Sequence, residues 1–298
     1  MIGMIRWPMD LGLQIRMIGT MFLLALVYFI FIAVLASIGV DSLILVVIIA
    51  GVLLLQYFFS DKLVLLSMGA EVVTEQQEPQ LYEMVTRLCA IAGIPRPKLA
   101  VVHKSVPNAF ATGRNAKHSV VAVTDGLRSM LTQDELEAVL AHELSHVKNR
   151  DSMIITLASL ISTVAFFIFR NSFMIPRGGR GGKENLWFLV PIMAAVVWVV
   201  SFLLIKALSR YREYAADRGS ALITGKPSQL ASALMKISGM IQRVPTRDLR
   251  EVEGMNAFFI IPALSGESIM ELFGTHPTVE KRIAALEKIE SELQGHVT

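Results

Sequence analysis

Four stretches of this chain, residues 17–38, 42–60, 152–169 and 185–205, contain no Asp, Glu, Lys, Arg or His. They are 22, 19, 18 and 21 residues long. Inside a bilayer no water reaches backbone N–H and C=O groups, so a crossing segment must satisfy them internally, which a helix of about 20 residues does. The first two runs are read as membrane spans, and the last two as a second hairpin with the same capacity. Arg6 and Arg16 precede the first run, and Val34-Leu35-Ala36 resembles a cleavage site. The run nevertheless exceeds a signal-peptide core of roughly 7–15 residues. A second span also follows after three residues, so a retained anchor is expected.

These runs divide the 298-residue chain into an N-terminal helix pair (1–60), a polar segment (61–151), the second hairpin (152–205) and a closing polar segment (206–298). The net charge is +3, and no Lys/Arg-rich run is interleaved with aromatics. Nucleic acid is therefore not an expected partner, whereas a mildly basic chain suits anionic lipid headgroups. Cys89 is the only cysteine, which excludes an intramolecular disulfide and a thiolate metal cluster.

In the first polar segment, Leu81, Met84, Val85 and Leu88 recur at helical spacing, and Gly93 followed by Pro95 marks a helix end. Residues 99–103 and 119–124 read as strands, with a third at 109–112 and a turn at 113–117. Thr132-Gln133-Asp134-Glu135 is a capping box, opening a helix that meets no glycine or proline before Arg170 and is expected to run toward the third apolar stretch. Helices are also expected over 229–241 and 278–293, and residues 176–183 (PRGGRGGK) read as a flexible loop. The fold class is α+β, mostly α, with membrane helices beside a small sheet.

His142-Glu143-Leu144-Ser145-His146 lies ten residues into the capped helix. Residues i and i+4 share a helical face, so both imidazoles can point at one tetrahedral metal ion. Glu143, next to the first histidine, can reach a water at that metal without ligating it. Neutral imidazoles suit zinc. A catalytic zinc takes three protein ligands, and Glu213 is the best third candidate. Asp217 stands four residues later on the same face, where it can accept the second N–H of a ligating histidine. Two apolar runs separate His146 from Glu213, and two crossings return the chain to the same membrane face.

The sequence resembles the HtpX-type integral membrane zinc metalloproteases of the gluzincin group. The matching stretches are PNAFATG (107–113), AHELSHVKNRD (141–151), SRYREYAADRGSA (209–221) and ELFGTHPTVEKRI (271–283). With the paired N-terminal spans, the likeness covers essentially the whole chain. Ser145 replaces a glycine seen in many relatives, a change compatible with function. The resemblance implies one Zn2+ per chain and stress-linked quality control of misfolded or damaged membrane proteins. It also implies a plasma (inner) membrane location with the catalytic part facing the cytoplasm.

The expected chemistry follows. Zinc on His142, His146 and Glu213 would activate water and polarise a scissile carbonyl, with Glu143 moving the proton. Asn108, Ala109, Phe110, Ala111 and Thr112 would form an edge strand that pairs with extended substrate, or be an ordinary sheet strand. His276 would stabilise an oxyanion, bind zinc as a fourth ligand in a resting state, or lie on the surface. A zinc-holding scaffold would not need Glu143, and a metal transporter would place ionisable groups within the apolar runs. Arg6 and Arg16 against Asp41 put the N-terminus in the cytoplasm. The basic loop 170–184 opposes export of the second hairpin, so both a crossing and a surface-packed hairpin stay open, with crossing favoured by run length.

Overall fold

Apolar sequence becomes long helices that are buried on one side only. In a computed structural model that describes residues 10–37, 42–171, 189–241 and 276–295, some side chains excepted, α1 (Leu11–Ser37) buries Thr20, Leu24, Tyr28, Phe31 and Leu35. These positions form one stripe of a 3.6-residue helix. Away from the stripe, Ile15, Phe22 and Phe29 are 68%, 67% and 71% exposed. Such a surface is unfavourable in water by roughly 25 cal/mol per Å2, a penalty that hydrocarbon removes. The buried stripe packs with α6 (Asp151–Asn171) and α7 (Leu189–Thr224) in a cluster that includes Ala165, Ala194 and Val197. Among the described residues, α1, α6 and α7 are each long and apolar enough to cross a membrane. The second apolar run lies within α2 (Ser42–Met68). The turn at 39–41 and the glycine-rich 176–183 lie outside the described residues.

α7 has 36 residues, about 54 Å of helix, against a hydrocarbon core of about 30 Å. Its uncharged part ends at Ile205. One continuous helix therefore carries Glu213 about 12 Å beyond the apolar segment.

A second cluster of buried residues surrounds a sheet of four strands in the order β1-β2-β4-β3. β2 (Lys98–Val102) runs parallel to β4 (Ser119–Thr124), and β3 (Ala109–Gly113) pairs antiparallel with β4. β4 is buried at every position, as its uninterrupted apolar run demands. β1 (Ala70–Val73) pairs antiparallel with β2 and is not among the strands expected from sequence, because four residues of Ala-Glu-Val-Val carry too little alternation to stand out. Gly113 closes β3 at φ 139°, where an added Cβ would sit 2.3 Å from the His118 carbonyl oxygen. α3 (Pro79–Ala92) buries Leu81, Met84, Val85 and Leu88 and ends at left-handed Gly93.

After α4 (Asp125–Met130), α5 (Gln133–Asn149) begins at the capping box. The Thr132 N–H donates to Glu135 Oε2 at 2.8 Å. Glu135 also accepts from Ser232 Oγ and Lys236 Nζ of α8 (Pro227–Ile241), both at 2.7 Å. α9 (Val279–Gly295) completes the described elements and packs on α7 and α8.

The expected unbroken helix from Thr132 into the third apolar run is corrected. It breaks at Arg150, which adopts φ 56° and ψ 41° while its N–H bonds back to the His146 and Val147 carbonyls. A left-handed non-glycine residue costs about 1–2 kcal/mol. The break lets Asp151, the first residue of α6, fold back against His146 and Arg212.

Glu135 yields a stability prediction. Burial raises its pKa, but hydrogen bonds from Lys236, Ser232 and Thr132 outweigh burial and lower it from 4.5 to about 2. A depressed folded-state pKa means stabilisation that is present above pH 4.5 and is lost as the pH falls toward 2. Glu135→Ala is expected to cost about 1–3 kcal/mol at pH 7, and less at about pH 3. Thermal unfolding in detergent micelles at both pH values checks this; an equal gap at both would contradict it.

Candidate active site

α5 and the polar half of α7 bring the charged side chains together. His142 and Glu143 are buried, and the His146 side chain is 18% exposed. The two imidazoles meet edge to face, with ring centroids 4.7 Å apart. Their Nε2 atoms lie 3.1 Å from each other. Glu213 Oε1 is 3.4 Å from His146 Nε2, and Oε2 is 3.6 Å from His142 Nε2. Ligand atoms of all three residues fall within 4.8 Å of one another.

The opposite ring nitrogens explain this approach. His142 Nδ1 lies 2.9 Å from Asp217 Oδ1, and His146 Nδ1 lies 2.6 Å from Asp151 Oδ2. A carboxylate at each Nδ1 draws the ring proton there and leaves both Nε2 lone pairs aimed into one small space. Two lone pairs at 3.1 Å repel unless a cation or proton lies between them. Donors at the zinc distance of about 2.0–2.1 Å, arranged tetrahedrally, are separated by roughly 3.3 Å. The Nε2–Nε2 separation is close to that figure, each imidazole has a Glu213 oxygen 3.4–3.6 Å away, and the nitrogen and oxygen donor set suits zinc.

Each aspartate is itself held by an arginine. Arg282 Nε lies 2.9 Å from Asp217 Oδ2 and its Nη2 lies 2.6 Å from Oδ1, a two-pronged pairing. Its Nη1 reaches Glu213 Oε2 at 3.2 Å. Burial pulls the Arg282 pKa down, but Asp217 and Glu213 together raise it above the ordinary value. On the other side, buried Arg212 forms an ion pair with Asp151. The result is two parallel chains, His142–Asp217–Arg282 and His146–Asp151–Arg212.

Glu143 projects from the same helix and is 4% exposed. Burial raises its pKa more than the neighbouring imidazoles lower it, the direction that moves a carboxylate toward proton transfer near neutral pH. His276 is buried, with Nδ1 3.1 Å from Glu213 Oε2, so it belongs to the cluster rather than to the surface. Ser145 is fully buried, with its hydroxyl donating to the Ala141 carbonyl at 2.7 Å.

β3, with Ala109, Phe110, Ala111 and Thr112, is an edge strand. Asn108 precedes it and is fixed by its N–H, which donates to Thr124 Oγ1 at 2.9 Å. Ala111 and Thr112 line a cleft together with His146 and the α5–α6 junction. The structure thus gathers every candidate residue named from the sequence around one metal-sized space or along the strand beside it. Sequence reasoning assigns Arg282 and Asp151 no role, although both lie within the matched motifs. Arg282 does leave a signal, for it shares a helical stripe with buried Leu286 and Ile289. A charge on an apolar stripe indicates a buried partner.

Comparison with known proteins supplies the family. The model of peptidase family M48 matches residues 75–290. A Methanosarcina acetivorans protein, "Protease HtpX homolog 2", is 59% identical over 292 residues, covering 97% of this chain and 99% of its own length. A "Protease HtpX homolog" from Moorella thermoacetica is 55% identical, with coverage of 96% and 97%. The crystal structure of S. mikatae Ste24p shares the fold at TM-score 0.56 and 20% identity, over 93% of this chain and 67% of that one. With a family match over residues 75–290 and relatives matched nearly end to end, this chain belongs to peptidase family M48: it is a membrane metalloprotease, a hydrolase of peptide bonds.

Proposed function

We propose that the chain is a zinc-dependent endopeptidase that cuts extended segments of misfolded or damaged membrane proteins at the cytoplasmic face of the plasma membrane. The observation that carries the chemistry is the convergence of His142 Nε2, His146 Nε2 and Glu213 on one point, with buried Glu143 on the same helix. The quality-control role rests on the resemblance of the motifs. The cytoplasmic face rests on Arg6 and Arg16 against Asp41. In this reading 1–60 anchors the chain, 61–151 and 206–298 form the catalytic part, and 152–205 joins its two halves across the bilayer.

His142, His146 and Glu213 would hold the zinc, which when bound would polarise the scissile carbonyl and acidify the attacking water. Glu143 accepts the proton of that water and delivers it to the leaving amine. Asp217 and Asp151 keep the ligand imidazoles in the Nδ1–H tautomer, and Arg282 and Arg212 keep those aspartates charged and oriented. β3, an edge strand among the described residues, would pair with the backbone of an extended substrate, so that main-chain hydrogen bonds present the peptide bond. His276, beside Glu213, stabilises developing negative charge on the carbonyl oxygen.

Metal and activity are expected to separate. Glu143→Gln retains zinc by elemental analysis and loses activity on casein by about 10²–10⁴-fold, while Glu213→Ala loses both. Equal zinc in Glu213→Ala and the parent would overturn the ligand assignment.

The supporting shell has its own readout. Asp217→Asn is expected to weaken zinc binding by about 10–100-fold in competition with a chelator; unchanged affinity would reduce Asp217 to a packing residue. For topology, a cysteine at position 179 in a Cys89→Ser background is expected to react with an impermeant thiol reagent on intact cells. Reaction only after lysis would mean that 152–205 does not cross.

A further inference from the structure

Several hydroxyl groups of the membrane helices bond within their own helix. Those of Thr20 and Ser37 on α1 donate to the Arg16 and Val34 carbonyls, and those of Ser159 and Thr163 on α6 donate to the Thr156 and Ser159 carbonyls. Such local bonds satisfy a hydroxyl without joining two helices. Tyr28 bonds across helices instead. Its side chain lies on the buried stripe of α1, and its hydroxyl donates to the Ala158 carbonyl of α6. The Ser162 backbone N–H, four residues farther along α6, and the Ser201 hydroxyl of α7 lie against the same oxygen. Ser201 is fully buried. One phenolic oxygen on α1 therefore meets both of the helices that carry aspartates of the site.

The connection from that oxygen to the site is short and stiff. Ala158 is seven residues beyond Asp151 on α6, about 10 Å along the helix. Ser201 is twelve residues before Glu213 on α7, about 18 Å. Both helices are unbroken over these spans. Between them, α6 and α7 share apolar contacts that include Ala165, Ala194 and Val197. Dispersion contacts of this kind are non-directional, and inside a bilayer no exclusion of water adds to them. The site itself tolerates little movement. His146 Nδ1 lies 2.6 Å from Asp151 Oδ2 and His142 Nδ1 lies 2.9 Å from Asp217 Oδ1, against a hydrogen-bond limit of about 3.2 Å. A slip of α6 along α7 by about 1 Å would undo one of these pairings.

We propose that Tyr28 is a positioning residue for the metal site: its hydroxyl, held between Ala158 and Ser201, sets the register of α6 against α7 and so the placement of Asp151 relative to Glu213 and Asp217. The proposal rests on the reading of His142, His146 and Glu213 as metal ligands. It gives α1 a part in the site beyond anchoring the chain. The Tyr28 ring supplies packing, as Leu24 and Phe31 do on the same stripe, whereas the hydroxyl supplies direction. An unbonded hydroxyl is costly in an apolar surrounding, so the oxygen stays with its partners. A hydrogen bond between membrane helices is worth about threefold in an equilibrium constant, which sets the size of the expected effect.

The test uses the full-length protein in detergent micelles. Zinc affinity is measured by competition with a chelator, and ligand geometry is read from the visible spectrum of the cobalt-loaded form. Tyr28→Phe keeps the ring and removes the hydroxyl. It is expected to weaken zinc binding about threefold and to shift the cobalt spectrum. Ser201→Ala changes both readouts in the same direction. The double variant binds zinc no more weakly than Tyr28→Phe alone, because both substitutions act through one oxygen. Phe29→Leu, on the exposed side of the same helix, leaves both readouts at the parent values. Circular dichroism checks the fold of each variant, and Ser201→Ala decides the question if Tyr28→Phe does not fold. Parental readouts in folded Tyr28→Phe or Ser201→Ala, whatever the change in thermal stability, overturn the proposal and leave the metal site standing. Effects that add in the double variant overturn it too. A parent protein that binds no zinc fails the underlying reading, and the proposal with it.

Discussion

Two imidazole nitrogens lie 3.1 Å apart, and a carboxylate behind each ring fixes how they face each other. The i, i+4 spacing on α5 brings the rings to one face, but spacing alone leaves each ring free to flip or to exchange tautomers. Asp217 and Asp151 remove that freedom by occupying the Nδ1 positions. Arg282 and Arg212 then neutralise carboxylates that would otherwise be costly to bury. In the proposed reading a cation held by the Nε2 atoms would turn this close approach into a binding site.

The pieces of this arrangement come from distant parts of the chain, and the membrane helices determine how they meet. α7 is long enough to leave the bilayer and continue as one rigid rod to Glu213 and Asp217. α6 starts at Asp151, immediately after the left-handed turn at Arg150. Each aspartate therefore sits on a helix that also holds an apolar run. Packing between α6 and α7 fixes the spacing of the two His–Asp–Arg chains, with Ala165, Ala194 and Val197 in the shared core. α9 contributes Arg282 from the far end of the chain, so the site closes only when the last helix docks.

Some of this is legible in the sequence, for physical reasons that can be named. The uncharged runs reveal the long helices because bilayer thickness sets a length that few soluble elements share. The capping box marks the start of α5, and Glu213 stands out because catalytic zinc needs a third ligand. What escapes is non-local or conformational. The break at Arg150 carries no glycine or proline, because a carboxylate folding back onto His146 stabilises it. β1 is too short for its alternation to register. Arg282 can be placed against Asp217 only once α9 is seen to pack on α7, although its position on the Leu286 and Ile289 stripe is a feature of the sequence itself.

The central claim is that the two imidazoles and Glu213 ligate one zinc ion through a preset geometry. X-ray absorption at the zinc edge of the purified Glu143→Gln protein tests it most directly. The account predicts two imidazole nitrogens at about 2.0–2.1 Å and the remaining ligands as oxygen at about 2.0–2.2 Å. A spectrum with a single imidazole, or with sulfur at about 2.3 Å, would contradict it.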